Sequence, residues 1–212
     1  MKHLLPILAL AACTDVPTAP TFQQDVAPIL AANCSRCHGV PQIGGAPPTF
    51  RLTYSPIPLP DMGGELSGAA RYAYFMRDKV VSGEMPARFP LDDDQRDVIA
   101  NWAALVPRDD ANQQDAPRGE PRPGNRAPFA TLIQTRLDNQ FAEWDFTVGD
   151  DDGDLVGGYL RAGDIVVGEL HSGRGHLVWE IQNVPALIYA LEAELDDGGA
   201  VVTISLGEIR VP

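Results

Sequence analysis

A stretch with almost no apolar side chains separates two unlike halves of this 212-residue chain. Residues 107–128 read PRDDANQQDAPRGEPRPGNRAP and are rich in Pro, Asp and Arg. Such a segment cannot bury a hydrophobic core, so its composition predicts an extended linker. Residues 21–106 show helical patterns, whereas residues 129–212 alternate apolar and polar side chains between Gly/Asp turns. Two domains are therefore expected, one on each side of the linker.

Cys34, Cys37 and His38 form a C-x-x-C-H sequence, which is the strongest chemical signal in the chain. Two thiols at this spacing can add to the two vinyl groups of a haem, and the adjoining histidine is then held as the proximal iron ligand. A thioredoxin-like C-x-x-C should lie in a βαβ pattern, which is absent here. A structural zinc site needs about four ligands, and the other candidate histidines, His171 and His176, lie beyond the linker. The sequence thus predicts one covalent haem c.

Helical patterns flank the C-x-x-C-H sequence on both sides. Residues 22–33 place their apolar side chains on one helical face, with Pro28 in an early turn. Further along, Asp92 has the position of an N-cap and Gln95 follows three residues later, which is a capping-box pattern. A final helix is predicted there by the apolar stripe Val98, Ile99, Trp102, Leu105 and Val106.

The sixth iron ligand must come from few candidates, and Met85 is modestly preferred on position. It precedes Pro86 in a loop between a helix predicted at about residues 66–81 and the final helix. Met62 is the rival candidate, whereas Met76 has the spacing of a core residue. Position alone therefore leaves both Met85 and Met62 open.

Three stretches of the front half carry a resemblance to a known family. They are Phe22…Val26-Ala-Pro28-Ile29-Leu30 running to Cys34-Ser-Arg-Cys37-His38-Gly39, then Val80-Val81-Ser82-Gly83-Glu84-Met85-Pro86, and last Ile99-Ala-Asn-Trp102. Together they resemble the class I, single-haem cytochrome c domain of bacterial lipoproteins. The resemblance implies that Met85 is the distal iron ligand and that the tryptophan helix packs on the first helix. It covers less than half of the chain.

Residues 44–60 depart from that family because they are unusually rich in Gly and Pro. The loop at the haem edge can therefore differ, and propionate partners are not assigned. Arg51 and Tyr54 are the residues there best able to donate a hydrogen bond to a propionate.

The half behind the linker reads as all-β. Alternating apolar side chains predict strands around residues 144–148, 177–181 and 202–206. Residues 186–195 fit helix or strand, and strand is favoured. Short strands at this spacing suggest a small antiparallel sandwich. The expected fold class is multidomain, with a mainly α cytochrome c domain at residues 21–106 followed by a small all-β, sandwich-like domain of unknown function.

Four aspartates in the turn at residues 150–154 could gather oxygen ligands for Ca²⁺. Read from Asp150 as an EF-hand, the sixth position would be Leu155 and the twelfth Arg161, and both are wrong for such a loop. A solvated acidic turn is the favoured interpretation, with Ca²⁺ at Asp150 to Asp154 as the less favoured alternative.

The N-terminus is typical of an export signal. Lys2 precedes a short apolar stretch, which falls well below the roughly 20 residues needed to span a bilayer. The sequence LAAC ending at Cys13 resembles a bacterial lipobox, in which cleavage precedes a lipidated cysteine; an ordinary signal peptide with a stray cysteine is the alternative. We expect a signal peptide at residues 1–12, a lipidated tether at residues 13–20, and a lipid-anchored protein facing the periplasm.

The acidic balance of the chain limits its partners. With 16 Lys and Arg against 29 Asp and Glu, the net charge is −13, which argues against nucleic-acid binding and favours solubility or steering of a basic partner. With His38 and Met85 as axial ligands, both iron positions are filled, so we expect single-electron transfer to redox partner proteins and no enzymatic activity. The alternatives are a redox subunit or docking module of a larger oxidoreductase, or a haem-based sensor or peroxidase with a labile sixth ligand.

Overall fold

The computed structural model describes residues 16–59, 64–106 and 115–212. Strands make up 36% of the structure and helices about 20%, and the strands form three sheets. The chain is mainly β, so the prediction of a mainly α cytochrome c domain followed by a small all-β domain is wrong. The resemblance to the class I cytochrome c domain is corrected for the same reason, because that family is built mainly from helices.

The helix predicted at about residues 66–81 is shorter in the structure than its sequence pattern indicates. The helix that forms there, α3 (Ala73–Val81), begins seven residues later than predicted. The preceding segment instead pairs as two short antiparallel strands, β1 (Ile57–Leu59) and β2 (Gly64–Leu66). Leu66 is buried in a small cluster with Ile57 and Leu59, against which Tyr159 and Val166 pack. Periodicity alone cannot separate such a short apolar run from the start of a helix.

The first helical stretch leads directly into the C-x-x-C-H sequence. A π-helical segment, Phe22–Val26, continues into α1 (Ala27–Asn33), and α2 (Ser35–His38) follows after one residue. Pro28 stands in the first turn of α1, where its nitrogen needs no hydrogen bond within the helix. The predicted early position of this proline is confirmed.

The last helix, α4 (Asp93–Ala104), packs against α3 and against the first helical stretch. It begins as predicted, because Asp92 Oδ1 accepts a hydrogen bond from the backbone N–H of Gln95 at 2.8 Å. Trp102 is fully buried on its inner face, and its ring centroid lies 5.7 Å from that of Phe22. None of the helices in the described part of the chain has the length and apolar character needed to cross a membrane.

The other two sheets are antiparallel and lie in the second half of the chain. Their strands are β3 (Phe129–Leu137), β4 (Phe141–Gly149), β5 (Gly157–Ala162), β6 (Ile165–His171), β7 (Gly173–Glu180), β8 (Ile188–Asp196) and β9 (Val201–Arg210). One sheet has three strands in the order β3-β4-β7, and the other has four in the order β6-β5-β8-β9. The ambiguous residues 186–195 thus fall mostly in a strand, as the sequence favoured.

One hydrophobic core lies between these two sheets. Trp144 of β4 and Trp179 of β7 stack with ring centroids 6.4 Å apart, and Leu160 of β5 is fully buried in the same core. Gly158 lets β5 pair closely with β8, because a Cβ atom there would lie 1.9 Å from the carbonyl oxygen of Glu194. Side chains from both sheets therefore share a single apolar interior.

The described part of the predicted linker packs between the helices and the sheets. Ala116 is fully buried in the core that contains Trp102. The carbonyl of Pro117 accepts the indole N–H of Trp102 at 2.8 Å. Arg118 then pairs with Asp196 of β8, with 3.0 Å between Nη1 and Oδ1. These contacts hold the front half of the chain against the four-stranded sheet.

Candidate haem site

One helical turn brings Cys34, Cys37 and His38 together. The backbone N–H groups of Cys37 and His38 both donate to the carbonyl of Cys34, at 3.1 and 3.0 Å. Both cysteines carry free thiols, with Cys34 half-buried and Cys37 exposed. Burial and the neighbouring Cys37 raise the pKa of the Cys34 thiol to about 11, so Cys34 stays protonated at neutral pH. The three residues predicted to hold a haem are thus adjacent, and both thiols are free.

His38 has a buried ring nitrogen without a hydrogen-bond partner among the described residues. Burial lowers the pKa of its ring, which favours the unprotonated form that a metal ligand needs. The nitrogen without a partner is Nδ1. The ring packs edge-on against Phe50, with centroids 5.3 Å apart. The ring centroids of Phe50 and Tyr72 are 5.7 Å apart, and those of Tyr72 and Phe75 are 5.9 Å apart. A row of aromatic rings therefore leads from His38 to α3.

Met85 lies in the loop after α3. Its backbone N–H donates to the carbonyl of Lys79 at 3.0 Å, and Lys79 Nζ lies 5.6 Å from the centroid of the Phe75 ring. The Met85 side chain is 40% exposed, whereas Met76 is buried in the hydrophobic core. Met62, the rival ligand, lies outside the described residues. Of the methionines that the structure describes, Met85 therefore has the more accessible thioether.

Several large apolar side chains around these segments are exposed: Ile43, Phe75, Val81, Met85 and Phe89. Ile43 is tied to the C-x-x-C-H turn, because its backbone N–H donates to the carbonyl of Cys37 at 3.1 Å. Exposed apolar side chains of this size are available to a further group that would cover them. A haem is largely apolar and takes thiol, imidazole and thioether partners, so the side chains present here fit that group.

Arg51 and Tyr54, the best candidates for propionate contacts from the sequence, are engaged elsewhere. Arg51 donates to both carboxylate oxygens of Glu169 on β6, from Nε at 2.5 Å and from Nη2 at 2.8 Å. Tyr54 donates its hydroxyl to the carbonyl of Ala116 at 2.8 Å. Both side chains therefore join the front segment to distant parts of the chain.

A cavity of about 260 Å³ lies between the C-x-x-C-H turn and strands β5 and β6. His38 and Arg51 line it from the front half, and Glu169 and His171 line it from β6. In the sequence, His171 lies on the other side of the predicted linker from the C-x-x-C-H residues. No local signal could have shown that two histidines 133 residues apart line the same cavity.

The acidic turn gathers three carboxylates, those of Asp150, Asp152 and Asp154, with ligand atoms within 4.8 Å of one another. Burial raises the pKa of Asp150. Arg122 pairs with Asp154, and the backbone N–H of Arg126 donates to Asp152 at 2.5 Å. Two arginines from the predicted linker thus contact the cluster, and the grouping of carboxylates by itself does not make a Ca²⁺ site.

Comparison with known proteins assigns the chain to no family. No protein-family model matches it, and no curated protein matches it. Among solved structures it is similar to the PKD domain of an M14-like peptidase from a Thermoplasmatales archaeon. The match has 18% identity and a TM-score of 0.26, and it covers 38% of this chain and 90% of that one. A TM-score of this size does not establish a shared fold.

Proposed function

We propose that this chain carries one covalently bound haem c and transfers single electrons. The observation that supports the proposal is the turn of α2, which places two free thiols beside a neutral histidine. This is the arrangement that thioether attachment and proximal ligation of a haem require.

Cys34 and Cys37 would hold the group through thioether bonds. Each sulfur bonds to one carbon of a vinyl group, and the thiol hydrogen goes to the other carbon, so the addition needs reduced thiols and no oxidant. The raised pKa of Cys34 keeps that residue in the thiol form at neutral pH. A disulfide between the two cysteines would block attachment.

His38 would supply the proximal imidazole and Met85 the distal thioether. A haem iron with both axial positions filled exchanges electrons without offering an open site for oxygen or peroxide. Burial keeps His38 neutral, and the hydrogen bond from Met85 to Lys79 fixes the backbone of the methionine loop against α3. Two axial ligands would favour electron transfer over catalysis.

The redox partner is expected to be a protein with a basic docking face. The net charge of −13 would steer such a partner over long range, with an association rate that falls as salt is added. The predicted signal peptide (residues 1–12) and Cys13 lie outside the described residues. Their sequence supports the proposal that the chain is exported, lipid-anchored and faces the periplasm.

The experiment that tests this function uses the full precursor, exported together with the machinery that matures haem c. The purified protein should show a low-spin haem spectrum in both oxidation states, a reversible one-electron couple and no binding of carbon monoxide. If the protein readily binds carbon monoxide, the result would favour a sensor or peroxidase role over electron transfer. A protein purified without any haem spectrum would overturn the proposal as a whole.

A further inference from the structure

Two edge strands, β6 and β7, contact each other in the second half of the chain. β6 pairs with β5 and β7 pairs with β4, and neither has a second hydrogen-bonded strand neighbour among the described residues. In an edge strand, alternate residues direct their backbone N–H and C=O groups away from the paired neighbour. Both strands therefore offer backbone groups with which a further strand can pair.

The two strands touch near their connection and line a cavity further along. Ser172 alone joins them, and the side chain of Leu177 covers Gly168, where a Cβ atom would lie 2.6 Å from it. Beyond this contact, a cavity of about 770 Å³ is lined by residues 165–167 of β6 and residues 178–180 of β7. Three residues of extended chain span about 10 Å, so the lining has the length of a short strand segment.

The cavity combines apolar walls with acidic side chains. Val167 and Trp179 are buried core residues, whereas Asp164 and Glu180 are exposed, and no basic side chain lines the cavity. Glu180 accepts a hydrogen bond from the neutral amide of Gln182. In the described part of the chain, no cation pairs with either carboxylate. An occupant with apolar groups and a positive charge would match this lining.

We propose that the cavity between β6 and β7 binds an extended, basic peptide segment of a partner protein. The segment pairs through its backbone with an exposed strand edge, which is recognition by addition of a β-strand. Its apolar side chains face Val167 and Trp179, and its basic side chains lie near Asp164 and Glu180. All residues that line the cavity belong to the second half of the chain, so this inference goes beyond the proposed haem function and does not depend on it.

The experiment measures peptide binding to the full-length protein by isothermal titration calorimetry. The probe is the peptide Ac-Lys-Val-Lys-Val-Lys-NH₂, whose extended form places apolar and basic side chains on opposite faces. We expect saturable binding of one peptide per chain. A peptide with Glu in place of each Lys should not bind. The basic peptide with N-methylated backbone amides should also lose binding, because it keeps its charge but no longer donates backbone hydrogen bonds.

Two substitutions in the cavity have matched controls on β9. Val178 lines the cavity and is 52% exposed, so Val178→Arg should add a repelling charge there and weaken binding by about tenfold or more. Val201→Arg is its control, because Val201 is 48% exposed and lies outside the cavity. Glu180→Gln should weaken binding by about twofold to fivefold, as expected for an exposed ion pair. Glu208→Gln makes the same change of charge outside the cavity and should leave the affinity unchanged.

Three results would overturn the inference. The first is the absence of saturable binding at millimolar concentrations of the basic peptide. The second is an equal loss of affinity in Val178→Arg and Val201→Arg, which would show that only the net charge of the chain attracts the peptide. The third is undiminished binding of the N-methylated peptide, which would exclude strand pairing. None of these results bears on the haem, so the proposed function is tested separately.

Discussion

The guanidinium of Arg51 forms two hydrogen bonds to the carboxylate of Glu169, a residue 118 positions away in the sequence. Only 6% of the Arg51 side chain and 12% of the Glu169 side chain are exposed. The pair therefore joins the loop after the C-x-x-C-H turn to strand β6 and is largely buried. It also forms part of the wall of the cavity beside His38.

Loss of one partner of this pair should destabilise the fold. Arg51→Ala leaves the Glu169 charge buried without its partner, which costs about 3–5 kcal/mol of unfolding free energy. The double variant Arg51→Met/Glu169→Leu should recover most of that loss, because it leaves no unpaired charge. Urea unfolding followed by tryptophan fluorescence measures the stability of both variants and of the unsubstituted protein. The exposed pair of Arg96 and Asp93 is the control, and Arg96→Ala should cost no more than about 1 kcal/mol. An equal loss of unfolding free energy in Arg51→Ala and Arg96→Ala would show that burial does not determine the strength of these ion pairs.

Elements that depend on residues close together in the sequence were predictable. The contacts that join these elements could not be predicted. The capping hydrogen bond of Asp92 depends on residues three positions apart, and the alternation that predicted a strand at residues 144–148 is confirmed by β4. The pair of Arg118 and Asp196 spans 78 positions, and no local pattern encodes it. The predicted mainly α fold class is wrong because the helices beside the C-x-x-C-H sequence are short and most of the regular structure is strand.

Met85 should be the distal ligand. Met85→Ala should abolish the weak long-wavelength band from thioether to ferric iron, lower the reduction potential, and allow carbon monoxide to bind, because a neutral thioether favours ferrous iron. Met76→Leu is the matched control, since it removes a thioether but keeps the volume of a buried core side chain. If the band survives Met85→Ala and disappears in Met62→Ala, the ligand is Met62.

Cys13 should carry the lipid anchor. Cys13→Ser should block lipidation and leave haem attachment intact, because the thiols proposed to bind haem are Cys34 and Cys37. Detergent partitioning and the intact mass of the mature protein provide the measurement. A mature N-terminus at another residue, without acyl mass, would be incompatible with the lipoprotein proposal.

His176 should titrate above the ordinary histidine value of about 6.5. Its ring nitrogen Nδ1 lies 2.8 Å from Asp145, and this hydrogen bond is the largest cause that raises the pKa of His176, with a smaller contribution from Glu143. A raised folded-state pKa favours the folded state below about pH 6.5, and this contribution is lost as the pH rises through the folded-state pKa. NMR titration should show a lower pKa for His176 in Asp145→Asn and a smaller decrease in Glu143→Gln. An unchanged pKa in Asp145→Asn would contradict the assigned cause.

The candidate site was predictable only where its residues are neighbours in the sequence. The C-x-x-C-H spacing alone brought Cys34, Cys37 and His38 to one helical turn. The sequence did not show that β6 would supply Glu169 and His171 to the cavity behind that turn, because tertiary packing created this contact. The same packing pairs Arg51 with Glu169, so its guanidinium is not free for the propionate contact predicted from the sequence.

The intact mass of the mature protein under denaturing conditions tests covalent haem attachment most directly. Thioether bonds survive unfolding, so the polypeptide should carry the mass of one haem and give a positive haem stain after denaturing electrophoresis. Replacement of both Cys34 and Cys37 by Ala should remove that mass, with the same export and maturation machinery present. A protein with both cysteines intact that shows only the polypeptide mass would contradict the account.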